Sequence, residues 1–201
     1  MAELAGYSAA IKISGTATSM TAEATTTADD TSYQIANAVK QVLDRETAPT
    51  VFDGGVATAE DYTVNYLNGT ITFDTDDDTR VITVTGKYLP MTTAAYAHSL
   101  SISRATDLQD VTAFGATHKK RVAGLKSASG TLNQFDITDT TYIDALTAGK
   151  PIVIEFKAES TLEPERYWAL LESDEVAAAV DGMQDETISW ISHDEWLRLG
   201  E

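Results

Sequence analysis

No cysteine occurs in the 201 residues, which excludes a disulfide framework, a thiolate metal site and a thiol nucleophile. Nor does any run approach the roughly 20 apolar residues that cross a bilayer. Residues 1–15 lack the basic start and apolar centre of a signal peptide. The expectation is a soluble chain, not inserted in a membrane, whose mature form starts near Met1. Positive charge is scarce too: 14 Lys and Arg stand against 31 Asp and Glu, a formal net charge of −17. Gripping nucleic acid takes clustered Lys and Arg to neutralise phosphates, so repulsion is the better expectation.

The acid is unevenly spread. Residues 127–201 hold only Lys150, Lys157, Arg166 and Arg198 against sixteen Asp and Glu. Base gathers at Lys119, Lys120, Arg121 and Lys126. Either this is a solvated surface with one basic loop, or the loop docks onto acid on an identical subunit. With 43% hydrophobic residues the chain can bury a core, and a single domain over residues 1–201 is the simpler expectation.

Along the chain the dominant signal is alternation. Ile11-Lys12-Ile13 begins it, followed by a Thr-rich stretch, residues 16–31, too polar for core, which is either a flexible tip or an arm that orders on a neighbour. Residues 33–43 fit both helical and strand spacing, with strand favoured from Val39 onward. Asn68-Gly69 separates two alternating runs between Asp61 and Phe73, which predicts a hairpin with a type I′ turn, Leu67 facing Thr70 and Tyr66 facing Ile71. Strands are predicted at 81–89, 97–104, 125–135, 152–157, 167–171 and 187–191, with a last apolar run at 196–199. Asp139 can cap a helix of about three turns with Tyr142, Ile143 and Leu146 as its stripe and Gly149 as its stop. Many short strands with one helix predict a mainly β sandwich or barrel.

Catalytic patterns are missing. His98, His118 and His193 sit in unrelated contexts, and His98 is expected to pack on a strand face. The run Asp74, Asp76, Asp77 and Asp78 offers oxygen ligands for calcium. An EF-hand register starting at Asp74, however, puts Thr79 where glycine is needed and Thr85 where the bidentate Glu belongs, so a solvated turn is expected. Gly54, Gly55 and Gly124 stand as isolated turn glycines with no phosphate-cradling loop. Glu163 and Glu165 are a carboxylate pair of the sort chance supplies in so acidic a chain. Trp168, Trp190 and Trp196 are expected as core or interface anchors rather than a sugar-stacking platform. Neither an enzyme nor a cofactor is expected.

Three segments, Gln41-Val-Leu-Asp-Arg45, Pro49-Thr-Val-Phe-Asp-Gly-Gly55 and Tyr62-Thr-Val-Asn-Tyr-Leu-Asn-Gly-Thr-Ile-Thr-Phe73, resemble the front half of the tail tube (major tail) proteins of long-tailed bacteriophages. Asp110-Val-Thr-Ala-Phe-Gly-Ala-Thr117, Gly124-Leu-Lys-Ser-Ala-Ser-Gly-Thr-Leu132, the helix at 140–148 and the strand at 152–156 continue it. The resemblance covers most of residues 39–156, and the order of the motifs is its specific part. It implies a β-sandwich-like subunit with one flanking helix, closing into rings, commonly of six, that stack into a hollow tube with sheets completed across subunits.

By the same resemblance the loop 105–121 reaches an adjacent ring, with Asp110, Phe114, Gly115, Lys119, Lys120 and Arg121 as its candidate contact residues. Residues 1–38 and 160–201 would hold inter-ring arms or, at the C-terminus, further strands. The implied partners are copies of the chain, a tape-measure protein and tail-end proteins, with transient, non-specific passage of viral DNA. The implied location is the virion tail, after synthesis in the host cytoplasm. The acidic surplus would then line a channel to which phosphates do not adhere; which acids face the lumen is not readable from the sequence. The alternative is a monomeric β-sandwich that binds carbohydrate or another ligand. An acid-dependent hydrolase ranks behind both.

Overall fold

The computed structural model describes residues 9–27, 29–77, 79–94, 96–115, 117–135, 141–159, 161–177 and 184–199. In chain order the first strands are β1 (Ala10–Ser14), β2 (Thr18–Thr27), β3 (Ser32–Ile35), β4 (Thr50–Asp53), β5 (Val56–Ala57), β6 (Tyr62–Asn65) and β7 (Thr70–Phe73). They are followed by β8 (Ile82–Tyr88), β9 (Met91–Thr93), β10 (Ala97–Asp110), β11 (Arg121–Gln134), β12 (Ile152–Lys157), β13 (Glu165–Ala177) and β14 (Asp185–Arg198). One α-helix, α1 (Thr141–Ala148), stands among the described residues. The fold class is mainly β with a single short helix, as the sequence predicts.

Two compact units are distinguished: Met1–Thr93 with Val153–Tyr167 and Trp196–Glu201, and Ala94–Ile152 with Trp168–Glu195. In the first, strands lie side by side in the order β5-β4-β8-β2-β3-β7-β6, and β1 lies between β12 and β9. Its core gathers the inward residues of these strands, among them Met20, Tyr33, Ile35, Val51, Ile71, Phe73, Ile82 and Val84. In the second, the order is β10-β11-β14-β13, and Leu132, Tyr142, Trp168, Ile188 and Trp190 are buried.

Thr18–Thr27 of the Thr-rich stretch form the strand β2. Its β-branched residues favour extended backbone, and β2 pairs with both β8 and β3. Thr25 Oγ1 donates to Ile82 O at 2.8 Å, and Met20 is buried. Within the stretch expected as an arm, Ala10–Ser14, Thr18–Thr27 and Ser32–Ile35 are thus the strands β1, β2 and β3.

Three local expectations need correction. Residues 38–40 form a 3-10 turn capped by the Asn37 side chain, and Val39 is exposed rather than in a strand. The hairpin of β6 and β7 has Asn65 opposite Thr70 and Val64 opposite Ile71, so its loop holds four residues, 66–69, instead of two. Only Gly69 has positive φ there, at 66°, whereas a type I′ turn needs two such residues. The wider loop follows from what it binds: Leu67 is fully buried, and Tyr66 O accepts from Leu43 N at 2.8 Å. Finally, α1 has eight described residues, with Tyr142 buried but Ile143 exposed. Gly149 ends it at φ 62°, and the proposed cap Asp139 lies outside the described residues.

Candidate assembly surface

β10 and β11 are 14 residues each and form one long antiparallel hairpin, joined from Ala97↔Gln134 out to Asp110↔Arg121. Near its base β11 also pairs with β14, from Gln134↔Glu186 to Ser129↔Ile191. There Gly130 lies so close to Trp190 that a Cβ would sit 2.8 Å from the indole ring. Further out the environment changes. Every residue of 103–110 and 121–127 is exposed, although the strands carry Leu108, Val122 and Leu125, the last 86% exposed.

A two-stranded ribbon bare on both faces buries too little to be stable by itself, so hydrogen bonds must shape its end. Asp110 Oδ1 accepts from Thr112 N at 2.9 Å and from the Thr112 hydroxyl, and these bonds hold its carboxyl below the usual pKa. Thr112 Oγ1 accepts from Lys120 N at 2.8 Å, and Val111 N donates to Lys120 O at 2.9 Å. The tip beyond carries Phe114, wholly exposed, and Gly115 at φ 90°.

Asp110, Phe114, Gly115, Lys119, Lys120 and Arg121 are thus brought together at one hairpin end. The loop proper is shorter than expected, because Ala105 to Asp110 and Arg121 are ladder residues. Gly124 is likewise no turn glycine. It stands with Leu125 opposite the single residue Asp107, at a β-bulge between Thr106↔Lys126 and Leu108↔Ala123. Sequence alone does not mark Leu108, Val122 and Leu125 as contact residues, since an apolar residue in an alternating run reads as core.

Charge distinguishes this hairpin. Residues 104–126 hold five Lys and Arg against two Asp, a net charge of +3, whereas the rest of the chain holds nine against 29, or −20. The apolar and cationic side chains together suit an acidic protein surface.

Other sequence candidates dissolve into structure. His98 packs on a strand face as expected, stacked on Phe135 at 4.2 Å with Nε2 3.1 Å from Asp185. His118 Nδ1 lies 3.0 Å from Thr117 Oγ1. Asp77 receives the Thr79 backbone and hydroxyl, which lowers its pKa, in an exposed turn; Asp78 lies outside the described residues. No group of three or more His, Asp or Glu among the described residues is arranged to hold a metal. Glu165 accepts from the Tyr167 hydroxyl at 2.6 Å. Trp168 and Trp190 are buried, and Trp196 stacks on Tyr167 with ring centres 6.2 Å apart, which leaves the first two unavailable as a sugar platform.

The fold thus defines a mainly β protein with one long basic hairpin exposed at its outer half. No family model and no curated protein matches the chain. Among solved structures it is similar to a chain in the virion of a native gene transfer agent particle, at 16% identity and a TM-score of 0.48, over 54% of this chain and 88% of that one. A chain in the tail of an empty particle of that kind, refined with C6 symmetry, shows the same identity and TM-score over 54% and 86%.

Proposed function

We propose that the chain is a structural tail-tube subunit, one tail-tube domain whose copies close into rings of six and stack into a hollow conduit for viral DNA. The observation that carries this reading is the outer β10–β11 hairpin, which exposes Leu108, Val122, Leu125 and Phe114 together with a net positive charge on an otherwise acidic chain. Exposed apolar residues gathered with charge mark a contact surface, and identical acidic neighbours supply the complementary charge. The ordered motifs over residues 39–156 support the same reading independently. The tube would enclose a tape-measure protein, meet tail-end proteins, and be built in the host cytoplasm before residing in the virion.

Negative-stain microscopy and a sizing column test it together. Rings or filaments are expected at high concentration; a monomer at every concentration, even with tail-end proteins added as initiator, would sink the reading. Acids lining the lumen would let DNA pass without salt-bridge traps, and a map of the assembled tube with a neutral or basic lumen would refute that part alone.

A further inference from the structure

A second feature lies away from the hairpin, within the unit that holds β1, β9, β12 and the start of β13. A cleft of about 250 Å³ is lined by Lys12, Glu155 and Arg166 and by the apolar Val39, Met91 and Pro164. Its lining grades from buried to open: the side chains of Glu155 and Arg166 are 5% and 7% exposed, that of Lys12 41%, and Val39 is 64% exposed. Glu155 receives Lys12 Nζ at 2.7 Å and Arg166 Nε at 2.8 Å, while Arg166 Nη1 donates to Leu67 O at 2.6 Å. Two cations thus share one carboxylate, and Arg166 Nη2 has no acceptor among the described residues.

Nη2 is not among the enclosed, partnerless side-chain atoms of the described residues, so its N–H groups face the open cleft and can donate to whatever enters it. One surplus positive charge matches a singly charged anion, and guanidinium geometry suits a carboxylate. Val39, Met91 and Pro164 add apolar walls that would cover a methylene stem and gain nothing from a bare ion. We infer that this cleft is a receptor for a carboxylate on an apolar stem, supplied by an acidic side chain of a second copy of this chain. The choice of a second copy rests on charge and on the self-assembly reading above. With 31 Asp and Glu against 14 Lys and Arg, copies meet acid to acid over most of their surface, and a cleft with unpaired cationic donors is one of the few places where an incoming carboxylate is attracted.

The test uses the full chain in two arms. In the first, hexanoate is titrated into isotope-labelled monomer while the Met91 methyl and Arg166 Nε–H signals are followed, with hexanamide as the uncharged control. Saturable shifts are expected for hexanoate alone, at about millimolar concentration for so small a probe. In the second, Val39→Asp places a like charge at the open side without touching the ionic triad, and Val39→Asn controls for shape. Val39→Asp should raise the concentration needed for assembly about tenfold, the size of one like-charge contact near a surface, while Val39→Asn leaves it near wild type and both melt like wild type.

Absence of hexanoate shifts, or equal shifts with hexanamide, overturns the carboxylate site. Hexanoate binding together with unaltered assembly of Val39→Asp overturns the second copy as occupant and identifies a free small carboxylate as the ligand. In both cases wild-type tubes would leave the tail-tube reading standing. Wild-type chain that never assembles removes that reading and the occupant with it, whatever hexanoate does.

Discussion

At position 155 a carboxylate is buried between the cations of Lys12 and Arg166. Burial by itself would raise its pKa, but the hydrogen bonds from Lys12 and Arg166, with their charges, outweigh it and hold the group below the ordinary value of 4.5. Its stabilisation is therefore fully present above about pH 4.5 and is lost as pH falls through the lowered folded value. Glu155→Gln should cost about 3–5 kcal/mol at pH 7, because two buried or half-buried cations lose their counter-charge. Urea unfolding at several pH values checks this: the gap between variant and wild type should narrow towards pH 3, and equal stability at pH 7 would show that the triad does not stabilise the fold. Gly130 gives a steric counterpart. A Cβ there would lie 2.2 Å from Ser101 O and 2.8 Å from the Trp190 ring, so Gly130→Ala should destabilise by about 2–3 kcal/mol, as overpacking does. A denaturant midpoint unchanged from wild type would mean that the backbone at the hairpin base yields without cost.

Among the elements, the β10–β11 hairpin separates folding from assembly most cleanly. Its base is joined to β14 through β11, where Ala128, Leu132 and Gln134 are buried, while residues 103–110 and 121–127 contribute no buried side chain. Replacing residues 111–120 by Asn-Gly joins the Asp110↔Arg121 pair through the shortest turn that suits such a ladder and removes Phe114, Lys119 and Lys120. The shortened chain should keep its circular dichroism and melt within about 5 °C of wild type, since trimming a surface loop changes closure entropy little. Rings or short oligomers are allowed but stacked tubes are not; normal tubes would refute the hairpin as the inter-ring contact. This element also shows how far the sequence carries. Alternation located the strands, and Lys119, Lys120 and Arg121 pointed to the loop, but periodicity has no sense of where a sheet ends. The ladder therefore continued six residues past the strand expected to stop at Arg104, and two short runs near the C-terminus merged into β14. The β6–β7 register failed for a related reason: the loop is set by Leu67 entering the core and by Arg166 taking its carbonyl from 99 residues away. Contacts at that separation leave no local pattern. The cleft at Arg166 was invisible likewise, because Lys12 and Glu155 are 143 positions apart.

For the molecule as a whole, net charge decides when assembly can begin. Two bodies of charge −17 placed about 40 Å apart, a spacing suited to chains of this length, repel by roughly 8 kcal/mol when the Debye length is about 30 Å. With a Debye length of about 10 Å the same pair repels by only about 0.5 kcal/mol. Against this stand the five Lys and Arg of the hairpin segment, each worth at most about 1 kcal/mol in an exposed pair. Repulsion wins at low salt, and local attraction with apolar burial wins once the long-range field is screened. The concentration of wild-type chain needed for tubes should therefore fall steeply between about 0.01 M and 0.1 M salt and change little from 0.1 M to 0.3 M, where the remaining contacts are short-ranged. Light scattering across a salt series measures it. Assembly that is strongest at the lowest salt would mean that hairpin-to-acid pairing outweighs the collective charge, and that the acidic surplus lies too far from the contacts to oppose them.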